Sequence, residues 1–386
     1  MKTVINSIEI VDANGINWDT CVHNYINKVP PNFLFHDQSP ILNVPKFDVP
    51  LTDIDLQDLL EKQGYDEHSM PRSIKLAMLA VIGATKNLTL PKNTVVIGTT
   101  LQGSQETQIS VTKSFFENKR TIRPRWGATV TASAACTTVS RHLGITGVSF
   151  MVNQACSGFI TALDLAEKFL DSGQTDCVIV FGTDTGSHPL TSYIFNGMGV
   201  HTQNDVKPLD KNRSGMALGE GAVCYVLTKQ DKMQNYIAEI SNIVLYNDNY
   251  NLTAPTPDGS AGKYILSKLT NERIDSINCH ATATVTGDDA EILSLESLPY
   301  STYLYGMKGA IGHTMASSAG IEMAYSISGL INGWIPYTKG TTSAVDSSHY
   351  IVLNDIMKKD ISNFAKLSFG FGGGSAGILI SRKSNV

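Results

Sequence analysis

No run of about 18 apolar residues occurs in the sequence, so no membrane-spanning helix is expected. The opening stretch, MKTVINSIEIVDANGINW, lacks the continuous apolar core and small-residue cleavage site of a secretory signal, and the expected location is cytoplasmic. The six cysteines (Cys21, Cys136, Cys156, Cys177, Cys224 and Cys279) form no Cys-x-x-Cys pair, so neither a zinc site nor a disulfide framework is expected. Charge is scarce: Asp, Glu, Lys and Arg make up 17% of the chain, against about 25% in typical globular proteins. The balance of −5 offers no electrostatic footing for nucleic acid or an anionic membrane. What is present is length, 386 residues, and glycine, 32 of them. That combination implies a large, compact α/β protein with much buried surface.

Strand-like and helix-like segments alternate along the chain. TVINSIEIVD reads as a first strand, and SIKLAMLAVIGAT as an apolar helix. NTVVIGTT, GVSFMV, DCVIVFGTD and EGAVCYVLT read as further strands, and TASAACTTVSRHLG as a small-residue helix closed by Gly144. After the first strand a less regular, proline-containing stretch follows to about residue 70. From YIAEISNIVLYND onward the alternation starts again, so the chain is read as two halves, residues 1–228 and 229–386. No linker or readable repeat separates them. The pattern implies mixed or parallel sheets with helices on their faces.

One turn carries reactive chemistry. In NQACSGFITALDLAEKF, residues 153–169, the apolar positions Phe159, Ala162, Leu163 and Ala166 recur at helical spacing. A helix is therefore predicted to start near Ser157, with Cys156 facing its unpaired N–H groups and positive dipole end, which favour a thiolate. Four other segments stand beside it: NCHATATVTGDDAE with His280, YGMKGAIGHTMASSAGIE with Lys308 and His313, KPLDKNRSGMALGEGAVCYVL, and LSFGFGGGSAGILI with Phe369 and Phe371. Taken singly each is weak, since most lone histidines are satisfied core or surface groups. GFGGGSAG lacks the Lys-Ser/Thr of a phosphate loop and leads into a strand.

Together and in this order, from about residue 95 onward, they resemble the β-ketoacyl synthases of the thiolase superfamily. ACSGF resembles the nucleophile turn and RSGMALGEGA the family's Arg-x-Gly-x-x-x-Gly-Glu-Gly-Ala. HATATVTGDDAE resembles its His-Gly-Thr-x-Thr…Asp…Glu segment, KGAIGHTMASSAGIE keeps its Lys-to-His spacing and following Glu, and SFGFGG resembles its gating loop. Two histidines with the cysteine indicate the elongating class, rather than initiating synthases with Cys-His-Asn or thiolases with a second catalytic cysteine. Intact Cys156 argues against a nucleophile-less chain-length-factor-like subunit.

The resemblance implies an α/β, thiolase-like fold whose two similar halves form α-β-α-β-α layers. It implies decarboxylative Claisen condensation, in type II fatty acid or specialised polyketide or polyene biosynthesis. Cys156 would accept the acyl chain. His280 and His313 would donate to the malonyl thioester oxygen, while Lys308, paired with Glu322, would orient them. The backbone N–H groups of Cys156 and Phe371 would form the oxyanion hole, Phe371 also acting as a gate. Thr253, Thr282 and Thr284 would line the pantetheine tunnel; Asp288 and Glu291 would be structural. Lys119 and Arg120, in the basic run ENKRTIRPRWG, would dock an acidic acyl carrier protein, with Arg72 and Lys75 as further candidates. No metal or other cofactor is expected, because acyl and malonyl groups arrive on the carrier's phosphopantetheine arm. A dimer is expected, with itself or with a chain-length-factor-like subunit.

There are departures. Ala281 stands where the family has Gly, GFGGGSA replaces Gly-Phe-Gly-Gly-Thr-Asn, and GTDTGS replaces Gly-Gly-Ala-Glu. None removes a catalytic group; they point to a specialised pathway. The alternative reading is an acyltransferase of the same fold, moving an acyl group to an oxygen or nitrogen nucleophile without decarboxylation.

Overall fold

The computed structural model describes residues 2–35, 44–68, 70–119, 123–232 and 235–383. The scaffold of the first half is β1 (Thr3–Val11), α1 (Arg72–Thr85), β2 (Val95–Thr99), α2 (Ala134–Leu143), β3 (Ser149–Val152), α3 (Gly158–Asp171), β4 (Cys177–Thr185) and β5 (Leu218–Lys229). That of the second is β6 (Ala238–Asn247), α4 (Ser260–Leu269), β7 (Ser276–Asn278), α5 (Val285–Leu295), β8 (Thr302–Tyr305), α6 (Ser318–Asn332), β9 (Asn363–Phe369) and β10 (Gly374–Arg382).

The first sheet runs in the order β3-β2-β4-β5-β1 and the second in the order β8-β7-β9-β10-β6. In the first, β2 is parallel to β3 and β4, and β5 is antiparallel to β4 and β1. In the second, β7 is parallel to β8 and β9, and β10 is antiparallel to β9 and β6. The second half thus repeats the first strand for strand, although the sequence shows no repeat. The sheets join edge to edge where Thr3, Val4 and Ile5 of β1 face Ile240, Glu239 and Ala238 of β6.

Three cores separate the layers. Side chains alternate across a strand, so Val178 and Val180 of β4 pack with α3 and α6, while Ile179 and Phe181 pack with α1 and α2. Burial on both faces makes such a strand a continuous apolar run, which is why DCVIVF reads as a strand. Phe364 of β9 likewise joins the α3–α6 core, and Ala365 and Leu367 join the core beneath α4 and α5. The result is the expected α-β-α-β-α stack. Its middle layer depends on Gly320 of α6, where a Cβ would lie 2.8 Å from three ring carbons of Phe159. A larger residue there overpacks the centre, at about 1–3 kcal/mol.

The stretch before residue 70 is more regular than expected. It holds helices Trp18–Ile26 and Asp53–Lys62, the second opened by a capping box between Thr52 and Asp55. Helices Gln105–Phe116 and Pro189–Gly197 also go unpredicted, as does β8, whose four residues are too short for a readable period. No helix among the described residues is long and apolar enough to cross a membrane.

Candidate active site

β3 ends at Val152 and α3 begins at Gly158 behind Ser157, so Cys156 sits at the predicted strand-to-helix turn. The turn is left-handed at Ala155, with φ of 44°, which costs a residue bearing a Cβ about 1–2 kcal/mol. Cys156 is buried and lines a cavity of about 570 Å³. Here the structure corrects the expectation of a resting thiolate. Burial pushes the Cys156 thiol up to about 12, although Lys308 and the cysteine's own N–H pull it down.

The two histidines face this sulfur. Cys156 Sγ and one ring nitrogen of each histidine all lie within 4.8 Å of one another. His313 Nε2 is 3.1 Å from Sγ. The Met315 N–H donates to His313 Nδ1 at 3.2 Å, which leaves the ring proton on Nε2, facing the sulfur. The backbone of His313 is tied to the start of β5, donating to Ala217 O at 2.8 Å and accepting from Gly219 N–H at 3.0 Å. The His280 ring stands edge-on to that of His313, centroids 5.5 Å apart at 84°. Burial and then Lys308 hold both imidazoles neutral, His313 pulled down to about 3 and His280 well below its ordinary value.

Carboxylates and lysines hold these loops. Glu291 accepts the N–H groups of His280 and Ala281, both at 2.7 Å. Asp288 accepts those of Leu209 at 2.8 Å and Ala283 at 3.0 Å. They secure a loop in which Ala281 (φ 40°) and Ala283 (φ 66°) are both left-handed. Burial raises both carboxyls, Asp288 to about 7. Lys308 is fully buried and donates to His280 O at 2.5 Å and to Glu322 Oε1 at 2.7 Å. It therefore holds the histidine's backbone, not its ring.

Two buried residues at the site go unnoticed in the sequence. Lys366 of β9 also donates to Glu322, and further to Asn278 Oδ1 at 3.0 Å and Cys279 O at 2.8 Å. A lysine inside the apolar strand FAKLSF is the available signal, since a lysine buried there needs an acid. Asp184, at the end of β4, accepts from the Thr100 hydroxyl at 2.9 Å and the N–H groups of Leu101 at 3.0 Å, Gln102 at 2.9 Å and Ala316 at 2.8 Å. It ties the end of β2 to the loop that follows His313.

These residues occupy a chain whose two parts match two family models. The β-ketoacyl synthase N-terminal domain matches residues 56–233 and the β-ketoacyl synthase C-terminal domain residues 237–342. The chain belongs to the β-ketoacyl synthase family. A 3-oxoacyl-[acyl-carrier-protein] synthase homolog of Saccharomyces cerevisiae is 27% identical over 82% of this chain and 80% of its own. The 3-oxoacyl-[acyl-carrier-protein] synthase 2 of Vibrio cholerae is 23% identical over 90% of this chain and 93% of its own. Among solved structures, the ishigamide ketosynthase/chain length factor superposes with a TM-score of 0.88 at 20% identity, over 99% of both chains. That likeness establishes the thiolase-like fold.

In this β-ketoacyl synthase, Thr253, Thr282, Thr284 and Phe371 all line the Cys156 cavity. The Thr282 and Thr284 hydroxyls meet at 2.8 Å, and Thr284 also caps α5. The Thr253 hydroxyl donates to Asn251 at 3.2 Å. Phe371 stacks on Phe195, centroids 5.7 Å apart. The loop before it lies so close to Cys156 that a Cβ on Gly370 would fall 3.3 Å from the cysteine N. The docking expectations fare less evenly. Arg120 lies outside the described residues. Lys119 is exposed and paired with Glu117 at 2.7 Å. Arg72 and Lys75 are not available surface cations, because α1 is a core helix. Arg72 forks onto Glu220 at 2.6 and 2.9 Å and pairs with Asp53 at 2.7 Å, and Lys75 is buried.

Proposed function

We propose that this synthase condenses an acyl chain held on Cys156 with a malonyl group, both delivered by an acyl carrier protein, with loss of CO₂. The observation that carries the reading is the convergence of one thiol and two neutral imidazoles on one cavity, the His313 Nε2–H facing Cys156 Sγ at 3.1 Å. In the first step the sulfur attacks the acyl thioester, and its proton ends on the departing pantetheine thiol. The Cys156 and Phe371 N–H groups serve the tetrahedral oxyanion. In the second, the malonyl C–CO₂ electron pair moves to the thioester oxygen, where the two imidazole N–H groups donate. In the third, the enolate carbon attacks the Cys156 thioester, and the released thiolate regains a proton.

Thr253, Thr282 and Thr284 are proposed to meet the pantetheine arm, and Lys119 with Arg120 the acidic carrier. The chemistry rests on protein groups, with no metal or redox cofactor assigned. Dimerisation, with itself or with a chain-length-factor-like subunit, is supported by ketosynthases solved with their chain length factors. Six free, buried cysteines fit a reducing compartment, the cytoplasm in this reading. The pathway is proposed to be type II fatty acid or specialised polyketide synthesis.

The test separates the half-reactions. His280→Ala should cut CO₂ release from malonyl carrier by about 10²- to 10³-fold while sparing acylation of Cys156. His313→Ala should slow both, because its N–H also faces the sulfur. Labelled CO₂ release and mass-detected acylation are the measurements. Wild-type CO₂ release from both variants would remove the condensation reading and leave the plain acyltransferase.

A further inference from the structure

Among the described residues, a second lysine, Lys366, is fully buried beside Lys308. A single carboxylate, Glu322, is shared by two ammonium groups, with Lys308 on Oε1 and Lys366 on Oε2. All three side chains are at most 1% exposed. The lysines also hold consecutive carbonyls, Lys366 that of Cys279 and Lys308 that of His280. Lys366 further engages Asn278, whose amide donates to Glu322 O at 3.1 Å and to Ser326 Oγ at 2.8 Å. An ammonium is costly to bury, and Glu322 can neutralise only one of the two.

We infer that Lys366 is a positioning residue for His280. With Lys308 it clamps the peptide groups on either side of His280 and leaves the Lys308–Glu322–Lys366 cluster one positive charge in excess beside the two imidazoles. The function of that excess rests on the condensation reading: it keeps both rings in the neutral, N–H-donating form and favours the anion that decarboxylation creates. Both lysines act on both imidazoles in this sense, and burial acts with them. Burial also lowers Lys366 itself, against the pull of Glu322. The other titratable groups around the rings are Cys156, Asp288, Glu291 and Asp184, the last bonded to Ala316 of the His313 loop. They are the same in every variant below.

Lys366→Met removes one charge and leaves the cluster neutral. Glu322→Gln with Lys366→Met removes one of each sign and restores the excess of one. Lys366→Met should lower CO₂ release about tenfold or more, in kcat and not in KM, with acylation of Cys156 kept. It should also raise the pH at which the His280 and His313 imidazoles titrate, followed by NMR of ring-labelled histidine. The double variant should bring that titration back down and recover part of the CO₂ release. A clamp acting through hydrogen bonds alone predicts the reverse order, with the double variant worse than the single. That outcome, or a Lys366→Met enzyme within twofold of wild type and unaltered in titration, overturns the inference. If Lys366→Met does not fold, wild-type NMR decides: both imidazoles should stay neutral below about pH 5, and either one titrating near 6.5 overturns it. A wild type that releases no CO₂ removes the condensation reading alone, since the titration is read without turnover.

Discussion

The two halves share one strand order, one set of strand directions and one placement of three helices, yet they contribute opposite chemistry. After β3 the first half turns into α3 with a thiol, and the turn bears no charge. At the equivalent place after β8 the second half carries Lys308 and His313 before α6. After β2 the chain is pinned by one carboxylate, Asp184, through a hydroxyl and two N–H groups. After β7 it is pinned by Glu291 and the two lysines. A repeated scaffold thus places two loops face to face, and buried charge is concentrated on the side that carries the histidines. Cys156 brings no charge of its own turn to the cavity, and burial raises its thiol against the pull of Lys308.

The strongest way to break this comparison is to delete the first half's contribution outright. Cys156→Ala should abolish acyl adducts altogether and keep CO₂ release from malonyl carrier within roughly tenfold of wild type, since the donors belong to the second half. Loss of CO₂ release in step with acylation would show that the halves do not divide the work.

Next in size is the second half's anchor. Glu322→Ala leaves two buried ammonium groups without their acid and should cost about 3–5 kcal/mol in chemical denaturation. A loss below about 1 kcal/mol would mean that water or a rearranged carboxylate reaches the cluster.

The anchors should also answer pH in opposite senses. Burial raises Asp184 from the ordinary 3.8 to about 6. A carboxyl raised in the fold contributes stability that is fully present below about pH 4 and lost as pH rises through about 6. Glu322 is opposed by burial but drawn by Lys308 and Lys366 down to about 2, so its contribution is present above about pH 4.5 and lost on acidification. Asp184→Asn cannot titrate at that position. Wild type should therefore lose about 2 kcal/mol relative to Asp184→Asn between pH 4 and 7. A constant difference across that range would place Asp184 among ordinary solvated acids.

Much of this was readable from residues alone, for physical reasons that differ by element. β4 declares itself because burial on both faces leaves an unbroken apolar run, and α3 because one apolar face repeats at helical spacing. Cys156, His280, Lys308 and His313 are readable because their chemistry needs particular residue types within motifs. Asp184 is not, and Lys366 shows only as a lysine in an apolar strand, because each acts through a partner far away in sequence: Glu322 is 44 residues from Lys366, and Ala316 is 132 from Asp184. The resting state of Cys156 escapes for a related reason. A helix terminus is visible in sequence, whereas the burial that outweighs it is not.

The smallest expected effect compares strain in the two reactive loops. Ala155 precedes Cys156 with φ of 44°, and Ala281 follows His280 with φ of 40°. Glycine at either position relieves about 1–2 kcal/mol of left-handed strain, and returns roughly 0.5–1 kcal/mol to the unfolded chain as entropy. The methyl groups are not equivalent. That of Ala281 is buried, and its removal deletes packing worth about 1 kcal/mol, whereas Ala155 is partly exposed. Ala155→Gly should therefore stabilise by about 0.5 kcal/mol, and Ala281→Gly should be neutral or slightly destabilising. Denaturation midpoints at a common m-value would resolve the order. A gain at Ala281 equal to that at Ala155 would mean that the Glu291 and Asp288 clamps, not methyl packing, govern the histidine loop.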